Sequence, residues 1–130
     1  MLVHVDTDVL VHAIAHAGPE RARLSELAGS ADDVQMSAVA WYEFCRGPRT
    51  PEQLAVAREL LEADGVISLS EAIAQRAAEV FRELGQPRRR AADIAIGVTA
   101  LVLDALLLTR NRRDFEDIPG LVIEDVLSSS

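Results

Sequence analysis

The chain has 130 residues, of which 49% are hydrophobic and only 4% aromatic, so it can form one domain with a mainly aliphatic core. Its formal charge of −8 argues against a broadly basic surface for nucleic acid. No apolar run reaches the roughly 18 residues of a membrane helix, and the N-terminus lacks the pattern of a signal peptide. The single cysteine excludes a disulfide framework and favours the cytoplasm.

Apolar segments and cap residues predict strands that alternate with helices along the whole chain. Residues 2–6 are apolar nearly throughout, which is typical of a central strand. The helix over residues 91–104 is apolar on nearly every face and is therefore expected to be buried. The predicted strands are residues 2–6, 33–37, 66–69, 105–109 and 121–125, and the predicted helices are residues 9–17, 19–28, 38–47, 51–63, 71–84 and 91–104.

This alternation predicts an α/β fold with a mainly parallel central sheet of four to five strands and helices on both faces. We expect a single domain over residues 1–127 and a frayed C-terminal tail over residues 128–130. Functional sites in such sheets form outside the carboxyl ends of the strands. The residues that follow each strand are therefore the first candidates.

Carboxylates follow several of the predicted strands. Asp6 closes the first strand and Asp8 comes two residues later, whereas Glu43, Asp93 and Asp114 lie in or after later elements. Each alone is compatible with a helix cap or a solvated side chain, but together on one edge they would repel one another without a cation. Oxygen ligands without Cys or His favour Mg²⁺ or Mn²⁺, and hence chemistry on phosphates.

Four segments resemble the PIN-domain nucleases, and specifically the toxin subunits of bacterial VapBC-type toxin–antitoxin pairs. They are VDTDVLV at the N-terminus, SAVAWYEFCRG around Glu43, RAADIAIGVTAL around Asp93, and LLTRNRRDFEDIPGL near the C-terminus. The resemblance covers essentially the whole chain, and the last segment is the most specific of the four.

The resemblance implies an Mg²⁺- or Mn²⁺-dependent endoribonuclease that acts on tRNA, rRNA or mRNA. A metal-activated water would attack the phosphodiester in line and leave a 5′-phosphate and a 3′-hydroxyl. The family's catalytic metal ligands correspond to Asp6, Glu43, Asp93 and Asp114. The resemblance also implies neutralisation by a cognate antitoxin, a homodimer and a toxin–antitoxin hetero-oligomer, with no membrane partner.

Two positions depart from the family pattern. Many members have Asn where this chain has Asp8, so Asp8 either adds a ligand or caps the following helix. Some members place an acid where this chain has Asn111, so the fourth ligand is either Asp114 or lies in the region of Asn111. Thr109 and Asn111 are expected to hold water or phosphate nearby.

Two arginine clusters precede proposed ligands. Residues 88–90 come before Asp93, and Arg110, Arg112 and Arg113 come before Asp114. If the four proposed ligands are not counted, the formal net charge changes from −8 to −4. We expect an RNA backbone to be contacted by Arg89, Arg90, Arg110 and Arg112, although a solvated loop remains an alternative for either cluster.

Three other interpretations remain open. VDTDVLV also resembles the nucleophile motif of haloacid dehalogenase-type phosphatases, but the chain has no lysine and its DFED segment matches their late acidic motif poorly. A signalling receiver domain also needs a lysine, and an aspartate at the end of the third strand, where this chain reads VISLS. A PIN-like module that binds a partner without cleaving RNA is the third.

His12 and His16 are spaced four residues apart and would share one helix face, as zinc ligands do. No third ligand is apparent in the nearby sequence, so we interpret the pair as structural.

Overall fold

The computed structural model describes residues 1–128 as one sheet of five parallel strands in the order β3-β2-β1-β4-β5, with six α-helices, and confirms the predicted α/β fold. The strands are β1 (Leu2–Val5), β2 (Asp33–Ser37), β3 (Val66–Ile67), β4 (Leu106–Thr109) and β5 (Ile123–Asp125). The helices are α1 (Thr7–Ala15), α2 (Pro19–Ala28), α3 (Ala38–Cys45), α4 (Pro51–Glu59), α5 (Glu71–Glu83) and α6 (Ala91–Val102), and two 3₁₀ turns span Arg88–Arg90 and Arg112–Asp114.

The central strand β1 is covered on both faces. Val3, His4 and Val5 are each only 1% exposed, although successive strand residues point to opposite sides of the sheet. The helices therefore pack on both faces, and the aliphatic side chains between sheet and helices form one core. This burial holds the carboxyl end of β1 in a fixed position.

The strand order reverses between β1 and β4. The chain builds β1, β2 and β3 outward in one direction and then returns to place β4 on the other side of β1. Val5 pairs with Leu108, and the Asp6 N–H donates to the Leu108 carbonyl at 2.9 Å, so the pairing extends just past the end of β1. Open α/β sheets bind their ligands at such a switch point.

Several element boundaries differ from those predicted. Helix α1 begins at Thr7 rather than at residue 9, because the Asp6 carboxylate accepts the Thr7 N–H at 2.8 Å and caps the helix. Helix α4 ends at Glu59 rather than at residue 63, and the Arg58 guanidinium donates to the Glu62 and Ala63 carbonyls beyond it. Strand β3 is shorter than predicted because only Val66 and Ile67 pair with β2.

At the C-terminus, the Ser128 N–H donates to the Asp125 carbonyl at 3.0 Å. Ser129 and Ser130 belong to the predicted tail but lie outside the described residues, so the boundary at residue 127 stays a prediction. Among residues 1–128, no helix combines the length and the apolar character needed to cross a membrane.

Candidate active site: an acidic cleft at the switch point

One cleft of about 390 Å³ gathers the predicted acids from several elements. Asp6 follows β1, Glu43 lies on α3, Asp93 lies in the first turn of α6, and Asp114 ends a 3₁₀ turn after β4. The complete lining is Asp6, Thr7, Asp8, Val11, Glu43, Arg46, Arg49, Asp93, Asn111 and Asp114. The structure therefore brings together the four primary candidates and two of the three secondary ones.

Asp6 is the most firmly held of these acids. It is 5% exposed, and its two carboxylate oxygens accept from the Thr7 N–H at 2.8 Å and from the Thr109 hydroxyl at 2.9 Å. Thr109 does not line the cleft, but it lies behind Asp6 and its oxygen accepts the Asn111 N–H at 2.9 Å. This chain of hydrogen bonds fixes Asp6 in one orientation across β1 and β4.

Burial raises the pKa of Asp6 to about 7, against the opposing effect of its hydrogen bonds to Thr109 and Thr7. The charges of Asp93 and Asp8 raise it further. The pKa of Asp93 is raised to about 6, first by burial and then by repulsion from Asp114 and Glu43, which outweighs the lowering effect of Arg90. Full ionisation of this cleft is therefore unfavourable, and a divalent cation would offset that cost.

Glu43 is held by a residue that the sequence analysis did not single out. The Thr7 hydroxyl donates to Glu43 at 3.0 Å and lies 3.3 Å from the Ala40 carbonyl, so it joins the start of α1 to α3. Arg46 lies 3.8 Å from the other Glu43 oxygen. Within the sequence, the feature that pointed to a role for Thr7 was its position inside the VDTDVLV segment.

Asp8 is exposed at the edge of the cleft, and Asp6 rather than Asp8 caps α1. The Asn111 side-chain amide donates to the Asp8 carboxylate at 3.0 Å. Asn111 thus contacts Asp8 through its side chain and Thr109 through its backbone. It links the loop after β4 to the first turn of α1.

Three of the four arginines expected to contact RNA have partners inside the protein. Arg90 donates to the Asp117 carboxylate at 2.6 and 2.8 Å and to the Asp114 carbonyl at 2.9 Å. Arg110 lies beside Glu20, and Arg112 donates to the Ile123 carbonyl at 3.2 Å. Arg89 is exposed two residues before α6, so among these four arginines it is the most accessible to RNA.

The arginines that line the cleft are Arg46 and Arg49, which the sequence analysis missed. The Arg49 guanidinium lies 4.9 Å from the centre of the Phe44 ring, and its buried Nε has no hydrogen-bond partner among residues 1–128. A signal was present, because Arg46 follows Glu43 by three residues and so shares its helix face. Both guanidinium groups bring positive charge to an otherwise acidic cleft.

The fold and the cleft together define a small α/β domain with a carboxylate cluster at the switch point of a parallel sheet. The family model for the PIN domain matches residues 3–121, so the chain belongs to the PIN domain family. The family predicted from the sequence is confirmed. A search of curated proteins finds no match.

Similar solved structures cover nearly the whole chain. A chain of VapBC2 from Rickettsia felis, bound to a DNA fragment from its promoter, is 23% identical with a TM-score of 0.76, covering 95% of this chain and 98% of that one. VapBC-1 from nontypeable Haemophilus influenzae gives 25% identity and a TM-score of 0.71, covering 98% and 100%. DNA-bound VapBC from Salmonella typhimurium is 23% identical with a TM-score of 0.73, and the match covers 97% of this chain and 99% of that one. The predicted resemblance to VapBC proteins is thus confirmed.

Without divalent cations, we expect Asp6 and Asp93 to lower the free energy of unfolding as the pH rises from about 4 to about 7. In the unfolded chain, Asp6 and Asp93 lose their protons near their ordinary pKa of 3.8, whereas the folded protein retains them to about 7 and about 6. Between these values the folded state binds more protons than the unfolded state, so raising the pH favours unfolding. Urea titrations in EDTA measure this slope.

The variant Asp6→Asn isolates the contribution of Asp6, because the asparagine side chain cannot ionise. It should be more stable than the wild type near pH 8 and should lose much of the pH dependence. An identical pH profile for the variant and the wild type would contradict the assigned electrostatics.

Proposed function

We propose that this protein is an Mg²⁺- or Mn²⁺-dependent endoribonuclease toxin that a cognate antitoxin neutralises. The observation that carries the proposal is the convergence of Asp6, Glu43, Asp93 and Asp114 in one cleft of a PIN domain. The haloacid dehalogenase-type phosphatase and the receiver domain find no support, because the matching family is the PIN domain. A PIN-like module without cleavage activity remains the competing outcome of the tests.

The donor set fits a hard divalent cation. Asp6, Glu43, Asp93 and Asp114 would hold it, and their oxygens are the ligands that Mg²⁺ and Mn²⁺ prefer. The raised pKa values of Asp6 and Asp93 support this fit, since a cation would favour their ionised forms. When bound, the cation supplies a nucleophile at neutral pH and stabilises negative charge on a phosphodiester.

The chain's own residues preorganise the cleft. The Thr109 hydroxyl and the Thr7 N–H orient Asp6, and the Thr7 hydroxyl holds Glu43. Because these hydrogen bonds already exist without substrate, little reorientation of the acids is needed when RNA binds. We propose in-line hydrolysis that leaves a 5′-phosphate and a 3′-hydroxyl.

We propose that Arg46 and Arg49 contact the phosphates next to the scissile bond, because both line the acidic cleft. Arg89, which is exposed two residues before the helix that carries Asp93, would contact the backbone further along the RNA. Arg90, Arg110 and Arg112 would first have to leave their present partners. Arginines at the cleft would thus bind an anionic RNA even though the protein as a whole is acidic.

We propose that the antitoxin binds a second surface of the chain. An apolar groove of about 310 Å³ lies between α1, α2 and α4 and includes Ala13, Ile14, Leu24, Val56 and Leu60. Val56 is 52% exposed there, although it is a large aliphatic residue. The similar structures of VapBC proteins support a protein partner for this chain. A homodimer, a toxin–antitoxin hetero-oligomer and a cytoplasmic location belong to the same proposal.

Asp93→Asn and Asp6→Asn should each lower RNA cleavage by about two orders of magnitude or more, because the cation loses a ligand. The assay incubates the antitoxin-free chain with total RNA and Mg²⁺ or Mn²⁺, with EDTA as the blank, and maps the 5′ ends. The matched control is Asp104→Asn, since Asp104 is exposed and outside the cleft. If both cleft variants cut at the wild-type rate, the acids are not catalytic.

Arg49→Ala should weaken RNA binding. It should also reduce the slope of log K for RNA binding against log[salt] by about 1, which corresponds to the loss of one phosphate contact. Fluorescence anisotropy at a series of salt concentrations measures RNA binding. Every protein tested also carries the Asp93→Asn substitution, which prevents cleavage. Arg82→Ala is the control, because Arg82 is exposed on α5 and does not line the cleft. An unchanged salt slope for Arg49→Ala would show that Arg49 does not bind phosphate.

Val56→Asp should abolish co-purification with the antitoxin while leaving RNA cleavage unchanged, because it places a charge in the apolar groove. Val122→Asp is the matched control, since Val122 is 63% exposed and lies outside that groove. Retained co-purification by Val56→Asp would move the antitoxin to another surface.

A further inference from the structure

A second cluster of ligating side chains lies where α1 ends and α2 begins. His12 and His16 come from the end of α1, and Glu20 comes from the first turn of α2. One potential ligand atom from each residue lies within 4.8 Å of the other two. None of the three lines the acidic cleft. The structure thus supplies the third side chain that the sequence analysis did not find for the histidine pair.

The turn between the two helices creates this arrangement. The chain bends over residues 16–18, and Pro19 opens α2, which brings Glu20 back to the end of α1. A Cβ on Gly18 would lie 3.4 Å from the Glu20 carboxylate and 3.8 Å from the His16 ring, so Gly18, His16 and Glu20 lie close together. The rings of His12 and His16 face each other edge to face, with centroids 5.4 Å apart.

Glu20 is a largely buried carboxylate beside the two histidines. Its side chain is 4% exposed, and its one ionic partner among residues 1–128 is Arg110, whose Nε lies 3.6 Å from Oε2. That distance exceeds a hydrogen bond, and the buried Arg110 Nε has no hydrogen-bond partner among the described residues. A buried carboxylate normally has hydrogen bonds or a metal ion to compensate for lost water.

We propose that His12, His16 and Glu20 form a second metal site, for a transition ion of the Zn²⁺ class. Two imidazoles and one carboxylate suit Zn²⁺ far better than Mg²⁺, and three protein ligands leave one position for water. His16 is exposed and His12 is half-buried, so an ion can reach the cluster from solvent. The proposed ligands in the acidic cleft are all carboxylate oxygens, so we expect the two sites to prefer different ions.

Arg110 competes with the ion for this site. Its Nη1 contacts His12 Nε2, and its Nε lies beside Glu20, so the guanidinium touches two of the three ligands. A bound Zn²⁺ would displace this guanidinium from Glu20. Arg110 stands between Thr109 and Asn111, which hold Asp6 and Asp8. Occupation of the second site would therefore release a positive charge close to the acidic cleft.

The test measures Zn²⁺ affinity by competition with a chromophoric chelator, with Mg²⁺ in excess to occupy the acidic cleft. We expect one equivalent of Zn²⁺, bound at least about tenfold more weakly by His16→Ala and by Glu20→Gln. Asp93→Asn should bind Zn²⁺ like the wild type. Arg110→Ala should bind it more tightly, because the competing guanidinium is gone.

His16 is exposed, so His16→Ala keeps the test decisive even if the buried Glu20→Gln variant does not fold. Circular dichroism confirms the fold of each variant, and Co²⁺ absorption spectra report the coordination geometry of the bound ion. The proposal is overturned if the wild type binds no Zn²⁺ in excess Mg²⁺, if His16→Ala binds it equally well, or if Asp93→Asn abolishes binding.

Discussion

The hydrogen bond from the Thr109 hydroxyl to the Asp6 carboxylate, 2.9 Å long, joins the ends of two neighbouring strands at the point where the sheet reverses direction. Strand β1 is covered on both faces, and β4 contains the fully buried Leu107 and Leu108. Both ends are therefore held by the core rather than by surface loops. The other acids reach the same place because α3, α6 and the turn after β4 pack around this junction.

The cleft concentrates negative charge where burial makes that charge costly. The raised pKa values of Asp6 and Asp93 express this conflict, which the hydrogen bonds from Thr109 and Thr7 reduce without removing it. A native fold retains such an arrangement at functional sites, where a ligand offsets the cost. Arg46 and Arg49 place positive charge beside the acids, so the cleft combines cation ligands with groups that attract phosphate.

Much of this architecture follows from local sequence patterns. The apolar segments predict the five strands, and the rule that sites form at the carboxyl ends of parallel strands predicts that Asp6 and Asp114 meet. The sequence TPEQ at residues 50–53 is typical of a capping box, and two hydrogen bonds between Thr50 and Gln53 are present in the structure. These features depend on neighbours in sequence or on general topology.

Other features depend on contacts that spacing does not reveal. Arg90 is paired with Asp117, 27 residues away, so its place in a basic cluster did not indicate its partner. Glu20 meets His12 only because the bend over residues 16–18 sends α2 back toward α1. Likewise, the Thr7 hydroxyl reaches Glu43 across 36 residues. In each case the deciding contact joins separate elements.

We propose that the four acids of the cleft bind one class of hard divalent cation, and anomalous diffraction from crystals soaked in MnCl₂ tests this. We expect a manganese peak among Asp6, Glu43, Asp93 and Asp114, and no such peak in crystals of Asp93→Asn. A wild-type cleft without manganese, or a peak that persists unchanged in the variant, would contradict it.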